Sequence, residues 1–380
     1  MRRRTVVLLV VAAVLAALWP SVLYPGGKAA LLIADVYSTA LTGTNVTEVF
    51  TPDPRQRETE EVFAGERMRV SWWRPGWGDR HPGVMLVNGA TPAGNDDFET
   101  RRISAALARA GYLVMLPEFA FLREARLELA ATRQVAAAFG HLRGREETGG
   151  KPAGAFGFSV GGGILLAAAG HEDELREADY LAVLGAYFDW DTYLASVVTR
   201  AQLREGTVVS WMPHPEVRAR LPLAVLSVLP DDADREVLER ALAAGEGRVT
   251  GPEPAALSEE GRALWRVFAA TDFAECLRLI RELSPGAREV FDLLSPETSW
   301  ARVAQPVYWI HDANDTFEPL AEAEAARAAP RDGRLEIVTP RLISHAVPLG
   351  EEARSRGLDF WVSELWALLR FAIGVFRVAG

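Results

Sequence analysis

From residue 83 onward, short unbroken apolar runs alternate with longer stretches in which apolar residues recur every three or four positions. The runs at 84–87, 112–116, 153–158 and 181–187 have the length of strands buried on both faces. Between the first three, residues 98–110 and 122–142 carry helical spacing, the former stopped by Gly111. This alternation predicts an α/β domain with a mainly parallel central sheet and helices on both faces. Ahead of it, 60–63 and 67–74 read as a leading hairpin about Ala64-Gly65-Glu66, with Trp72, Trp73 and Trp77 as packing residues.

The alternation lapses after Asp189. About 110 residues of mainly helical period follow, carrying Trp190, Trp211, Trp265 and Phe273, with one weak strand-like stretch at 223–229. Strand-like runs return at 307–310 and 334–338, and a closing helix is expected over 358–376. Its charges (Asp359, Glu364, Arg370 and Arg377) favour packing on one side of the sheet over a membrane span.

The amino end follows neither pattern. Met1-Arg2-Arg3-Arg4 precedes fifteen uncharged residues, 5–19, and the next charge is Lys28. A basic start followed by an apolar run marks a membrane anchor or a secretory signal. As a helix the run spans about 22 Å, or about 30 Å through Tyr24, so an uncleaved anchor is the expectation. The three arginines then place the body on the extracytoplasmic side, and cleavage would give a secreted form. The expected organisation is an anchor or signal at 1–24 and a linker at 25–58, with a short amphipathic helix at 28–41 and a loop around Pro52 and Pro54. The first part of the body follows at 59–188, a helical insertion at 189–299, and the second part of the body at 300–380.

Composition narrows the classes. With 380 residues, 24% charged and 49% hydrophobic, the chain is ordinary globular protein with a large core. A net charge of −10 argues against a nucleic-acid partner. Cys276, the only cysteine, excludes an internal disulfide and a cysteine-based metal site, and reads as a small core residue. Asn45-Val46-Thr47 fits a glycosylation sequon, without weight by itself.

The stretch with chemical content is 153–170, Ala-Gly-Ala-Phe-Gly-Phe-Ser-Val-Gly-Gly-Gly-Ile-Leu-Leu-Ala-Ala-Ala-Gly. It reads as a buried strand, a serine at a sharp turn, and an apolar helix of small residues. Glycines at 157 and 161 suit such a turn, since side chains there would collide with neighbouring elements. The turn lifts the Ser159 hydroxyl above the sheet and aims the first helical N–H groups at whatever it attacks. The unit resembles the nucleophile elbow of the α/β-hydrolase superfamily. The run from Ile103 through Ala110-Gly111-Tyr112 to Pro117 resembles the same family's third-to-fourth strand crossover, and residues 189–299 fall where that family inserts a helical cap.

The resemblance implies an α/β-hydrolase fold and a chain order of serine, acid, histidine. Strand 307–310 runs into His311-Asp312-Ala313-Asn314-Asp315-Thr316-Phe317-Glu318-Pro319, similar to the family's acid loop. Asp315 fits the register of the catalytic acid and Asp312 is the fallback. His345, a short loop beyond the last strand, occupies the position of the family's base. Of the other histidines, His81, His141 and His171 read as surface or helix-end residues, His214 as a candidate pocket residue, and His311 as non-catalytic. The oxyanion hole would use Val160 N–H and, after the first core strand, Ala90 N–H. There Asn88-Gly89-Ala90 stands where the family often has His-Gly.

The resemblance therefore implies a serine hydrolase of carboxylic esters or thioesters, working through an acyl-enzyme on Ser159 with His345 and Asp315 and needing no metal or organic cofactor. A tryptophan-bearing apolar cap tilts the expected small-molecule acyl substrate toward hydrophobic groups. Two alternatives stand beside it: a serine peptidase or amidase on the same fold, and a non-catalytic membrane-anchored interaction protein.

Overall fold

A computed structural model of the chain describes residues 23–42, 45–49, 51–345, 347–348 and 356–380. The anchor or signal expected at 1–24 lies, but for its last two residues, outside the described residues. Among the described residues no helix is long and apolar enough to cross a membrane.

Eight strands form the central sheet: β1 (Arg55–Phe63), β2 (Glu66–Arg74), β3 (Gly83–Val87), β4 (Leu113–Pro117), β5 (Ala153–Phe158), β6 (Tyr180–Leu184), β9 (Val307–Ile310) and β10 (Leu335–Val338). Their spatial order is β1-β2-β4-β3-β5-β6-β9-β10. β1 pairs antiparallel with β2, and β2 antiparallel with β4; every other pairing is parallel. A two-residue side-chain period sorts the strands onto two cores. Met85, Val87, Met115, Ala155, Val183 and Trp309 face one side. Val84, Leu86, Val114, Leu116, Ala182 and Tyr308 face the other.

The second face is covered by α1 (Tyr24–Thr42), α2 (Phe98–Arg109) and, from the carboxyl end, the long helix Leu358–Ala379. The first face carries α3 (Ala131–Arg143) and α4 (Ser159–His171), the helix that follows β5. Trp73 and Trp72 are buried on opposite faces, whereas Trp77 is largely exposed. His81, expected at the surface, is buried, with Nε2 3.2 Å from the Gly78 carbonyl.

Between β6 and β9 the chain leaves the sheet. This stretch holds α5 (Trp190–Thr199), α6 (Pro215–Val225), α7 (Asp232–Ala244), α8 (Glu259–Ala269), α9 (Phe273–Arg281) and α10 (Pro285–Leu294). It also contains a hairpin that its periodicity does not reveal, β7 (Ala201–Arg204) with β8 (Thr207–Ser210). All four residues of β8 are exposed, so no apolar alternation marks it. The strand-like stretch near 223–229 is helical instead, at the end of α6 and in a 3-10 turn. Cys276 sits fully buried in α9, and burial pushes its thiol up to about 12. After β9 come α11 (Leu320–Ala328) and then α12 (Leu358–Ala379), the helix already named on the second face.

The segment expected as a linker, 25–58, is part of the body. Helix α1 packs on α2 and α12, and β1 begins at Arg55. Its apolar face closes the second core through Ala29, while Lys28 Nζ donates to the Gly380 carbonyl. Asp35, fully buried, accepts from Arg109 Nη1 (3.1 Å), Thr47 Oγ1 (2.8 Å) and Asn45 Nδ2 (3.1 Å). The Asn45 side chain of the sequon is thus bonded internally to Asp35 of α1.

Removing one partner of a buried ion pair leaves the other charge uncompensated, typically at about 3–5 kcal/mol. Asp35→Ala should therefore lower the unfolding free energy by about 3 kcal/mol in urea titration. A change below about 0.5 kcal/mol would show that α1 is not fastened through this pair.

Candidate active site

Ser159 lies at the junction of β5 and α4 with φ of +52°, in the left-handed region that non-glycine residues seldom adopt. The turn is tight enough to dictate its flanks. A Cβ on Gly161 would lie 2.0 Å from the Asn88 carbonyl oxygen, and one on Gly157 would lie 2.5 Å from Gly162 Cα. Both obstacles are backbone, which cannot step aside as a side-chain end can. The serine therefore sits at the carboxyl edge of the sheet's middle strand, where the helix dipole and the first free N–H groups point.

Two loops converge on it. The first follows β3: Asn88 Oδ1 accepts from Gly89 N (2.9 Å) and Thr100 Oγ1 (2.8 Å), and Asn88 Nδ2 donates to Gly94 O (2.7 Å). Asparagine at the position where the resembled family often has histidine thus folds the loop onto itself. Ala90 and Val160 both line the cleft onto which Ser159 opens. Arg220 of α6 braces that loop by donating from Nη1 to the Ala90 carbonyl (2.8 Å).

The second loop follows β9 and carries the acid. Asp315 is buried, and its Oδ1 accepts the backbone N–H groups of Phe317 (2.7 Å) and Glu318 (3.1 Å). Its Oδ2 lies 2.9 Å from His345 Nδ1. Asp312 reaches the same histidine differently: Oδ2 accepts the His345 backbone N–H at 3.2 Å. The loop is held by donors to four successive carbonyls. Trp211 Nε1 donates to Asp315 O (2.8 Å), His214 N to Thr316 O (2.6 Å), Tyr193 Oη to Phe317 O (3.1 Å) and His311 Nε2 to Glu318 O (3.0 Å). Trp309 Nε1 donates to His311 Nδ1 (3.2 Å), which fixes the His311 tautomer with its proton on Nε2. The Phe317 ring is sandwiched between His214 (4.3 Å) and His345 (4.4 Å), centroid to centroid.

A serine on this turn after the middle strand, with an acid and a histidine from the loops after two later strands, sits on a sheet of order β1-β2-β4-β3-β5-β6-β9-β10. The fold is the α/β-hydrolase fold. No family model matches the chain, and no curated protein does. Among solved structures it is similar to the acylaminoacyl peptidase of Pyrococcus horikoshii, at 12% identity and a TM-score of 0.46, over 88% of this chain and 42% of that one. It thus spans less than half the length of that peptidase. Brefeldin A esterase, a bacterial homologue of human hormone-sensitive lipase, is similar at 15% identity and a TM-score of 0.47, over 93% of this chain and 86% of that one. A putative dienelactone hydrolase from Klebsiella pneumoniae gives 14% identity and a TM-score of 0.43, over 84% and 99%. These likenesses are of fold alone.

On this α/β-hydrolase scaffold, sequence reasoning missed one residue in contact with the serine. Glu318 is fully buried, and Ser159 Oγ donates to its Oε1 at 2.7 Å. Its Oε2 lies 3.3 Å from His345 Nδ1. Among the described residues no hydrogen bond joins Ser159 to His345. Metal-ligating atoms of Asp315, Glu318 and His345 lie within 4.8 Å of one another, but the imidazole already engages both carboxyls.

Burial pushes the Glu318 carboxyl up to about 8, with Asp315 adding to the rise and His345 opposing it. Burial alone would lower His345, but the Asp315 and Glu318 carboxylates outweigh it and hold the imidazole at about 9. Burial also pushes Asp315 up, yet the charge and hydrogen bond of His345 overcome this and keep it below its ordinary value. The folded site therefore holds more protons than the unfolded chain through neutrality. The His345 contribution is complete below its ordinary value of 6.5 and is lost as pH rises through about 9. Glu318 acts in the same direction: its contribution is complete below its ordinary value of 4.5 and is lost as pH rises from there through about 8. Melting temperature should fall between about pH 6 and about pH 9.5, and Glu318→Gln should flatten part of that slope. A wild-type melting temperature that rises across this window would contradict the assigned protonation.

Proposed function

We propose that the protein is a serine hydrolase that cleaves carboxylic esters or thioesters through an acyl-enzyme on Ser159. The observation that carries this reading is the strained Ser159 turn opening onto an apolar cleft, with the Asp315–His345 pair buried beside it. Attack by Oγ on the substrate carbonyl creates an oxyanion, which the N–H groups of Val160 and Ala90, both on the lining of the cleft, would receive. The proton leaving Ser159 passes to the buried acid–base cluster that contains Asp315 and His345, and returns to the leaving group. Water then repeats the sequence and frees the acyl product.

The cleft argues for a hydrophobic acyl group. Phe121, Leu122, Ile164, Val217, Leu221 and Ala224 contribute to its wall, and the last three come from α6 of the insertion. Arg126, Glu216 and Arg220 add charge to the lining. The enzyme would meet its substrate on the extracytoplasmic side, held by the amino-terminal anchor or released from it.

Ser159→Ala should abolish labelling by a fluorophosphonate probe and hydrolysis of p-nitrophenyl esters while leaving the fold intact. Labelling of the alanine variant at the wild-type rate would remove Ser159 from the mechanism. Filling the cleft from α6 should change which chain it accepts. Ala224→Phe should raise the ratio of acetyl-ester to octanoyl-ester kcat/KM by about tenfold or more, because pocket volume is worth about 1–3 kcal/mol per methylene. An unchanged ratio would place the acyl chain elsewhere.

A further inference from the structure

The acyl-enzyme reading leaves one group in the site without a role. Glu318 contributes the carboxyl oxygen to which the Ser159 hydroxyl donates, and its other oxygen faces the imidazole. The geometry points to Glu318 as a catalytic residue: its carboxylate takes the Ser159 proton directly, while His345 stands between two carboxylates as a fixed cation. This inference rests on Ser159 being the nucleophile.

A general base must touch the proton it removes. Glu318 Oε1 does so at 2.7 Å. The nitrogen that His345 turns toward the cluster is Nδ1, 2.9 Å from Asp315 Oδ2 and 3.3 Å from Glu318 Oε2. The carboxyl is also held from swinging away. Its residue donates its backbone N–H to Asp315 Oδ1 (3.1 Å) and accepts His311 Nε2–H at its carbonyl (3.0 Å). The groups facing it are Ser159 of α4, Tyr193 of α5, Tyr187 beyond β6, His311 and Asp315 of its own loop, and His345. Of these only His345 brings positive charge, since burial holds His311 below its ordinary value. A carboxyl raised to about 8 is a far stronger base than an exposed one and still ionises near neutrality. Burial lowers His345, but the Asp315 and Glu318 carboxylates raise it further, which favours the imidazolium, and its Nδ1 already faces both of them.

The step balances with Asp315 and Glu318 as carboxylates and His345 as imidazolium. Ser159 Oγ forms its bond to the carbonyl carbon, the C=O π pair moves onto oxygen, and the serine proton moves to Glu318 Oε1. The negative charge thereby shifts from Glu318 to the oxyanion, and the Asp315–His345 pair is unchanged. On collapse the oxyanion pair re-forms C=O, the bond to the leaving group breaks, and Glu318 returns its proton to the departing oxygen or sulfur. Deacylation repeats this with water in place of the serine hydroxyl.

The test uses the full chain with p-nitrophenyl butyrate and a fluorophosphonate probe. Glu318→Gln keeps the shape and removes the base, and should lower kcat by about 10²–10⁴-fold. Glu318→Asp should recover part of that loss. His345→Gln removes the compensating cation, so it should retain more activity than Glu318→Gln and move the acid limb of its kcat/KM profile to higher pH. Glu318→Gln activity within about threefold of wild type, together with an inactive His345→Gln, would overturn the inference and return the proton to His345. If either glutamine variant fails to fold, Glu318→Asp and His345→Asn decide: a Glu318→Asp rate below that of His345→Asn supports Glu318, and the reverse order opposes it. Absence of labelling in the wild type would instead sink the Ser159 reading itself.

Discussion

A carboxylate removed from water costs several kcal/mol unless a cation or hydrogen bonds replace its hydration, and two beside one another cost more. Asp315 and Glu318 are both buried, three residues apart on one loop, and a single imidazole lies between them. Their two environments differ. Asp315 accepts two backbone N–H groups and the stronger imidazole bond, so it stays charged. Glu318 has the serine hydroxyl and the longer imidazole contact, so it holds its proton more tightly. The two carboxyls are thereby pushed apart, one kept below its ordinary value and the other raised.

The architecture serves that separation. The sheet fixes the three contributing turns, because β5, β9 and β10 are in parallel register and all end on the same side. Sterics at Gly161 fix the serine, and the ring stack of His214, Phe317 and His345 sets the imidazole plane. On the face away from α4, helices α1 and α12 close the second core and join the two ends of the described chain.

Much of this is legible in the sequence. The α/β alternation is a direct consequence of strands buried on both faces, and the Ser159 turn announces itself because its flanks tolerate no side chain. Asp315, with Asp312 as fallback, and His345 are what the resemblance to the hydrolase loops implies, and the structure puts Asp315 Oδ2 2.9 Å from His345 Nδ1. Glu318 was not readable. A glutamate before a proline in a loop looks solvated, and only the packing of Tyr193 and His345 over it removes the water. Trp211 reads as apolar bulk in a helical block, although its indole N–H holds the Asp315 carbonyl here. Helix α1 reads as part of a linker because Pro52 and Pro54 break the chain after it, while its partner α12 lies more than three hundred residues away.

The insertion between β6 and β9 is not independent of the body. Three of the four donors that hold the acid loop come from it, Tyr193, Trp211 and His214, and Arg220 holds the loop bearing Ala90. The same α6 that carries Arg220 forms the wall against which an acyl chain would lie. On the proposed hydrolase reading, selectivity and reactivity share one set of supports. A lineage, or an engineer, that reshapes the wall also disturbs the loops that aim the reacting groups. Grafting a foreign cap onto this body would leave buried carbonyls with nothing to answer them, so new substrates should be gained by small side-chain changes within the existing helices and not by exchange of the whole block.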